Sequence, residues 1–322
     1  MVKWGVLGTA SIARGCTIPG MKKAKNCDLY AIAGRNPEKA EKFKSDFGFK
    51  KAYYDYDSLL ADKEIQAVYI PLPNNIHREW VLKALKAGKN VLCEKPLALN
   101  AAEAEEMFET ARANNVILAE AYAYLQSEFM NCLVNDIKNG VIGDVIYIDT
   151  AFVTQGYKED FRLHKELGGG MIYDLGCYCT TMLLSLVDSE TEYVKACAEM
   201  TDEGVDAFVG ALIKFKNGVR ASFNVGMILG ENSNARFDRL YIHGTKGDIR
   251  SEYQYNASGS LSYTIIKNGT SEIKNIETSD NYMLETEKLG ECIEKGTAPL
   301  VTPEFSVKNS KLLDELLKEA GY

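Results

Sequence analysis

The chain has 322 residues, 46% hydrophobic and 25% charged, with a formal net charge of -8. That is the balance of a globular protein long enough for two domains, and its acidity excludes recognition of nucleic acid through a basic face, because neutralising phosphates takes clustered Lys and Arg. The eight cysteines are scattered, Cys177 and Cys179 form only C-x-C, and the three histidines lie far apart, so neither a disulfide framework nor a metal centre is expected. The opening MVKWGVLG runs straight into a strand without the pattern of a signal peptide, and no apolar run approaches about eighteen residues, so a cytoplasmic protein with no membrane contact is expected.

In chain order, KWGVLG (3–8) reads as a strand leading into a helix from Ser11, and DLYAIAG (28–34) as the next strand. NPEKAEKFKSDFG is a helix with Asn36 as N-cap, Pro37 at its first position and Gly48 at its end. AVYIPLP (67–73) is a strand, HREWVLKALKAG a helix stopped by Gly88, NVLCEK a strand, NAAEAEEMFETARANN a helix capped by Asn100, and VILAEAY a strand. Such alternation implies an α/β domain, a doubly wound parallel sheet with helices on both faces, over 1–122.

After a helix at 127–139 the pattern changes to long runs rich in Val, Ile, Tyr, Phe and Thr, from DVIYIDTAFVTQG to LSYTIIKNGTSEIKNIE, with hairpin signals at Asn217-Gly218 and Asn268-Gly269. These predict a C-terminal α+β domain over 123–302 with a large, open, mostly antiparallel sheet, serving substrate binding and oligomerisation. One face is expected under helices; the other needs cover that a single chain does not supply, hence a homodimer or higher assembly. Helices at 281–295 and 303–320 close the chain, and the segment 303–322 is expected to pack back on the first domain.

GVLGTASIARG sets Gly8, Ala10 and Ala13 between the first strand and helix, a relaxed G-x-G-x-x-G/A whose middle glycine is alanine. Gly8 permits a tight turn, the small Ala10 lets backbone approach a pyrophosphate, and the helix N-terminus presents N–H donors and a positive dipole end. Cofactor contacts are therefore expected at Gly8, Thr9, Ala10, Ser11 and Ile12 of a Rossmann domain. The second strand ends at Gly34, Arg35 and Asn36, where an NAD site would present a carboxylate to the ribose. With Arg35 there, and Lys39 a turn onward, NADP is expected, and NAD remains open if Arg35 lies solvated over the adenine.

The stretches PLPNNIH (71–77), EKP (94–96) and ELGGGMIYDLGCYC (166–179), in that order behind the glycine turn, resemble the glucose-fructose oxidoreductase and inositol dehydrogenase family, often called Gfo/Idh/MocA, over nearly the whole chain. Tyr178, where other branches have histidine, resembles the branch containing dihydrodiol dehydrogenase and xylose dehydrogenase. The resemblance implies cofactor contacts at Pro71, Leu72, Asn74, His77, Glu94 and Lys95, with Lys95 reaching the reacting oxygen and a cis bond before Pro96. It also implies that Tyr178 is the proton donor or acceptor and that Asp174 helps position the substrate and the catalytic groups. Ligands of open α/β sheets bind outside the carboxyl ends of strands, so a charged pair at 94–95 has a task there; otherwise it is a surface ion pair.

A tyrosine of pKa near ~10 is a poor base, yet a lysine ammonium about 4 Å away at an effective dielectric of ~20 favours the phenolate by roughly 4 kcal/mol, about three pK units before desolvation opposes it. The bland alternatives are that Tyr178 is a core residue with a satisfied hydroxyl, that Asp174 caps a helix and that His77 caps the helix it begins. EAYAYLQSEF (120–129) departs from the family stretch EAFMYRFHP, with Leu125 for arginine and no histidine-proline pair, and so leaves the substrate open among sugars, cyclic polyols and dihydrodiols. Tyr122, Arg162 and His164 are expected to line its pocket. The function implied is an NADP-dependent oxidoreductase acting on CH-OH groups. The alternative class, an NADP-binding sensor without turnover, would have no need of Lys95, Asp174 and Tyr178 together.

Overall fold

The structure, a computed structural model, describes residues 1–157, 160–230 and 235–322. In the first part of the chain β1 (Val2–Leu7), α1 (Ile18–Lys23), β2 (Cys27–Ala33), α2 (Pro37–Phe47), β3 (Lys51–Tyr53), α3 (Tyr56–Ala61), β4 (Ala67–Ile70), α4 (His77–Lys86), β5 (Asn90–Glu94), α5 (Ala101–Ala113) and β6 (Leu118–Ala121) alternate. Then follow α6 (Glu128–Lys138), β7 (Val145–Gln155), α7 (Cys177–Leu186), β8 (Thr191–Met200), β9 (Asp206–Phe215), β10 (Arg220–Leu229), β11 (Arg236–Gly244), β12 (Asp248–Ser251), β13 (Gly259–Lys267) and β14 (Thr270–Thr278). The chain closes with α8 (Asn281–Lys295) and α9 (Pro303–Ala320). It divides into two compact units, Met1–Gln126 with Asp280–Val307, and Ser127–Ser279 with Lys308–Tyr322. These borders differ from the 1–122, 123–302 and 303–322 read from the sequence: α8 groups with the first unit, and of the closing segment, expected on the first domain, Lys308–Tyr322 groups with the second, where Asn309 accepts the Thr180 hydroxyl at 2.6 Å.

In the first unit six parallel strands run β3-β2-β1-β4-β5-β6. The order reverses beside β1, which opens a crevice at the carboxyl ends of β1 and β4, where Gly8, Pro71 and Leu72 stand. The caps are as expected: Asn36 accepts the Lys39 N–H at 3.0 Å, Asn100 accepts the Glu103 N–H at 2.9 Å, and Gly48 ends α2 in the left-handed region. Helix begins at Ser11 but widens into a π-turn at Ala13–Thr17. Pro19 has no N–H to return to the carbonyl four residues back, and the Ile18 N–H reaches Ala13 instead. β3 and α3 were not anticipated: three residues, KAY, carry no periodicity, and pairing with β2 makes them a strand. α8 lies against α1 so closely that a Cβ on Gly20 would stand 2.7 Å from the Met283 nitrogen.

The second unit holds an eight-stranded sheet, β14-β13-β12-β11-β7-β10-β9-β8, antiparallel except for the β7–β10 pair. Asn268 (φ 51°) and Gly269 (φ 76°) turn β13 into β14, both in the left-handed region that a tight hairpin requires. α6 and α7 cover one face; Phe129 of α6 stacks on Tyr253 with ring centroids 4.3 Å apart. Strand alternation sends Tyr193, Leu212, Ile228, Phe237 and Ile273 to the opposite face, where each remains 45% to 64% exposed. Among the described residues no helix is long and apolar enough to cross a membrane.

Candidate active site

The carboxyl edge of the first unit's sheet carries tight turns in which glycine is favoured. Gly8 follows β1 with φ 121°, its N–H bound to the Ala33 carbonyl at 2.8 Å, and a Cβ there would stand 3.0 Å from Leu72 Cδ2. Gly34, ending β2, is constrained likewise, since a Cβ would lie 3.0 Å from Thr9 Cγ2. Thr9 and Ala10 are half-buried, Ser11 is exposed and Ile12 is half-buried in the first turn of the helix. A bare backbone turn feeding a helix N-terminus is the cradle that a dinucleotide pyrophosphate fits. Arg35 and Lys39 are exposed beyond β2. Burial pushes the Tyr56 hydroxyl up, opposed by the charge of Arg35.

β5 ends at Glu94, and the next peptide, Lys95–Pro96, is cis as expected. Three contacts hold the EKP turn. The Tyr69 hydroxyl of β4 donates to Glu94 and lies 2.9 Å from Thr17 Oγ1 at the end of the π-turn. His77, fully buried, sets Nδ1 2.9 Å from the Pro96 carbonyl oxygen and Nε2 2.7 Å from that of Leu72, so its ring ties the β4 and β5 turns together and does not cap α4. Glu120 Oε1 accepts the Leu97 N–H at 2.9 Å.

The electrostatics follow from burial. Glu120 is pushed up to about 7 by desolvation, against the pull of the Leu97 N–H that it accepts and of the Lys95 charge. Burial pushes Tyr69 up, reinforced by Glu94, and pushes His77 down, with Lys95 adding in the same direction. Glu285, in α8, is pushed up by burial and by Glu94. Asn74 is buried in the turn before α4, and Tyr122 is buried with its ring edge-on to Tyr124 at 6.5 Å. Pro71 and Leu72 are buried, whereas Glu94 and Lys95 are partly open to solvent.

In the second unit the segment leading to α7 is fastened before the helix starts. Asp160 accepts the Arg162 N–H at 3.0 Å, and the Arg162 guanidinium donates to Asp174 Oδ2 at 2.6 Å and to Asp160 Oδ1 at 2.9 Å while lying over the Tyr157 and Phe161 rings. The nearby carboxylate holds that guanidinium in its charged form against desolvation. His164 is half exposed, 3.5 Å from Glu166. Gly169 has no room for a Cβ, which would fall 2.4 Å from the Arg162 carbonyl oxygen. Gly170 has φ 106° and would place a Cβ 2.1 Å from Asp206 Oδ1. Asp206, fully buried at the start of β9, accepts the Ile172 N–H at 2.6 Å and the Tyr322 hydroxyl at 2.5 Å, and its own N–H donates back to that hydroxyl at 2.8 Å. Burial pushes Asp206 up to about 6.

Asp174 sits in a π-turn, Ile172–Gly176, that runs into α7, and Tyr178 follows in the first turn of α7; both are buried. The Tyr178 ring packs against Phe152 at 5.5 Å and Tyr255 at 5.3 Å, and its hydroxyl oxygen accepts the Asn256 Nδ2 hydrogen at 3.1 Å. Sequence reasoning did not reach Tyr69, Glu120, Asp206, Asn256 or Tyr322. The available signal was positional for one of them: Tyr69 and Glu94 stand near the carboxyl ends of neighbouring parallel strands, whose register pairs Ile70 with Cys93.

Comparison with known proteins places the chain in a family. A family model described as an oxidoreductase family with an NAD-binding Rossmann fold matches residues 2–122, and the Gfo/Idh/MocA C-terminal domain model matches 135–250. A trans-1,2-dihydrobenzene-1,2-diol dehydrogenase from Xenopus tropicalis is 31% identical over 332 residues, spanning 99% of this chain and 98% of its own. A D-xylose 1-dehydrogenase (NADP(+)) from Haloferax volcanii is 27% identical over 321 residues, spanning 98% and 97%. The crystal structure of a 3-ketoreductase from Actinomadura kijaniata with NADP and TDP-benzene matches with a TM-score of 0.92 at 26% identity, over 99% of this chain and 98% of that one.

Proposed function

The chain belongs to the Gfo/Idh/MocA oxidoreductase family, and on that premise we propose that it is an NADP-preferring enzyme moving a hydride between nicotinamide and a secondary alcohol or carbonyl of a sugar, cyclic polyol or dihydrodiol. The nicotinamide, when bound, supplies or accepts the hydride at C4. Tyr178 exchanges the hydroxyl proton of the substrate, Lys95 stabilises the developing alkoxide, and Asp174, held by Arg162, positions the reacting groups. Gly8, Thr9, Ala10, Ser11 and Ile12 cradle the pyrophosphate; Pro71, Leu72, Asn74 and Glu94 flank the ribose and nicotinamide; Arg35 and Lys39 meet the 2'-phosphate. The observation that carries the reading is the held EKP turn: the Tyr69 hydroxyl on the Glu94 carboxylate, the His77 ring on the Pro96 carbonyl and Glu120 on the Leu97 N–H hold the residues on either side of Lys95 at the carboxyl edge of a parallel sheet, where ligands of such sheets bind.

NADP oxidation and reduction followed with D-xylose, a trans-dihydrodiol and a nucleotide-linked ketosugar test it. Turnover on one of these should fall about 10²- to 10⁴-fold in Lys95→Met and Tyr178→Phe. Binding of NADPH without turnover on any of them would return the chain to the sensor class. Arg35→Ala should weaken NADPH roughly ten- to hundredfold and leave NADH nearly unchanged; equal losses would mean that the 2'-phosphate is read elsewhere.

We also propose that a second copy covers the outward face bearing Tyr193, Leu212, Ile228, Phe237 and Ile273, because an apolar row across one sheet face is unstable in water. Light scattering should report a dimer or larger, and a stable monomer at micromolar concentration would overturn this.

A further inference from the structure

The segment between β12 and β13 carries Tyr253, Tyr255 and Asn256 and is fastened to β11. The Arg236 guanidinium donates to both Asp238 oxygens and, at 2.9 Å, to the Tyr255 carbonyl, while the same carboxylate accepts the Tyr255 N–H at 3.0 Å. The Tyr255 hydroxyl lies 3.1 Å from Thr150 Oγ1. With its neighbour so anchored, Asn256 adopts φ 62° and turns Nδ2 onto the Tyr178 oxygen, while its Oδ1 is buried without a partner among the described residues. A left-handed backbone at a residue with a Cβ and an unsatisfied buried amide oxygen both cost stability. For folding alone glycine would serve better at 256, so the amide has to be explained by what it touches.

We propose that Asn256 is a positioning residue for proton transfer, acting through Tyr178: its N–H fixes the phenol oxygen and stabilises the phenolate formed when the proton leaves. This rests on the reading of Tyr178 given above. In the reducing direction the substrate carbonyl carbon takes the hydride from the reduced nicotinamide, its oxygen takes the Tyr178 proton, and the phenolate is later reprotonated by water. An N–H aimed at the oxygen is not competing for that hydroxyl proton, and a donor to the charged form lowers the cost of giving it up. Among the described residues of this unit, the charged or titratable groups around Tyr178 include Asp174 on its own helix, the Arg236–Asp238 pair, whose guanidinium lies 4.2 Å from the centre of the Phe152 ring, and the phenols of Tyr253 and Tyr255. Arg236 is engaged by Asp238 and Tyr255, while the neutral Asn256 amide donates to the phenol.

The test compares Asn256→Gly and Asn256→Asp with the parent, using NADP+ and the best alcohol of the panel above. Asn256→Gly keeps the left-handed backbone, so its melting temperature should match or exceed that of the parent. Its kcat should nonetheless fall at least about tenfold with the KM for NADP+ unchanged, and the rise of alcohol oxidation with pH should move about one unit to higher pH. Asn256→Asp, which keeps the shape and replaces the donor by a negative charge, should move the rise further in the same direction. A Gly variant with the kcat and pH profile of the parent overturns the proposal, as does an Asp variant whose profile is unmoved. Tyr178→Phe in the same assay separates the two levels: if it stays as active as the parent, the reading of Tyr178 fails, and if it is inactive while both Asn256 variants behave as the parent, only the role of Asn256 fails. A panel without turnover overturns both.

Discussion

Gly8 and Gly170 are both glycines in left-handed turns that feed a helix, yet they are glycine for opposite reasons. At Gly8 the nearest atom to an added Cβ is the tip of the Leu72 side chain at 3.0 Å, and the next are the Pro71 carbonyl oxygen at 3.7 Å and the Tyr56 hydroxyl at 3.9 Å. At Gly170 the room is already taken, by Asp206 Oδ1 at 2.1 Å and the Tyr322 hydroxyl at 2.7 Å. The first turn keeps backbone bare beside a crevice; the second lets a buried carboxylate reach the start of the helix that carries Asp174 and Tyr178. A glycine-rich motif therefore reads as a ligand site only when the space that the missing side chains leave is not filled by the protein itself.

The largest effect that would break this contrast belongs to Gly170→Ala. A Cβ overlapping a hydrogen-bonded buried carboxylate, on a backbone that L-residues avoid, should destabilise the protein by more than about 3 kcal/mol, read as a large fall in melting temperature. A variant melting within a degree or two of the parent would show that the Asp206–Tyr322 ring is not rigid.

Two buried carboxylates, one behind the EKP turn and one behind Gly170, sharpen it next. Glu120, behind the EKP turn, keeps a proton up to about pH 7 in the folded state, whereas in the unfolded chain it ionises near 4.5. Through that window the folded state binds more protons than the unfolded one. The contribution of this group to stability is therefore greatest below pH 4.5, falls as pH rises to about 7, and is flat above. Removing the ionisable group in Glu120→Gln, which can still accept the Leu97 N–H, should raise stability above pH 7 by up to about 3 kcal/mol and flatten this part of the pH dependence, as measured by denaturant titration at several pH values. Asp206, pushed up to about 6, has the same sign over a narrower window. An unchanged slope in Glu120→Gln would mean that Glu120 stays ionised at neutral pH.

The smallest effect on stability belongs to Gly8→Ala, because the Leu72 tip can give way: about 1–2 kcal/mol, from the strained backbone alone. Here the loss should appear instead in NADPH affinity, at least about tenfold by fluorescence titration. A loss of stability as large as that of Gly170→Ala, with NADPH affinity intact, would make the two turns alike and remove the distinction.

The parts of the fold that sequence could reach were those governed by local chemistry. Asn36 and Asn100 cap their helices, and Asn268-Gly269 forms the hairpin, because those conformations are decided within four residues. The three-residue β3 escaped because it is a strand only by virtue of pairing with β2. The widening at Ala13–Thr17 escaped as well, although Pro19 stood in plain view; its consequence falls on residues before it. At the site, the GGG of 168–170 was legible as a motif and not as a reason. The Asp206 carboxylate that explains Gly170 is 34 residues beyond the Ile172 nitrogen it binds, and the Tyr322 hydroxyl lies 116 residues further along.

By itself, then, the sequence determined an alternating α/β unit followed by an open sheet, a bare turn behind the first strand, and an acid-base pair behind the strand NVLC, because periodicity, capping and turn chemistry act over a few neighbouring residues. Only the tertiary structure decided which groups hold the candidate ones: Tyr69, His77 and Glu120 around the EKP turn, Asp206 and Tyr322 at the start of the helix that carries Asp174 and Tyr178, and Asn256 on Tyr178. Those partners meet across strands and loops far apart in the chain, where strand register and packing, and no local preference, bring donor to acceptor.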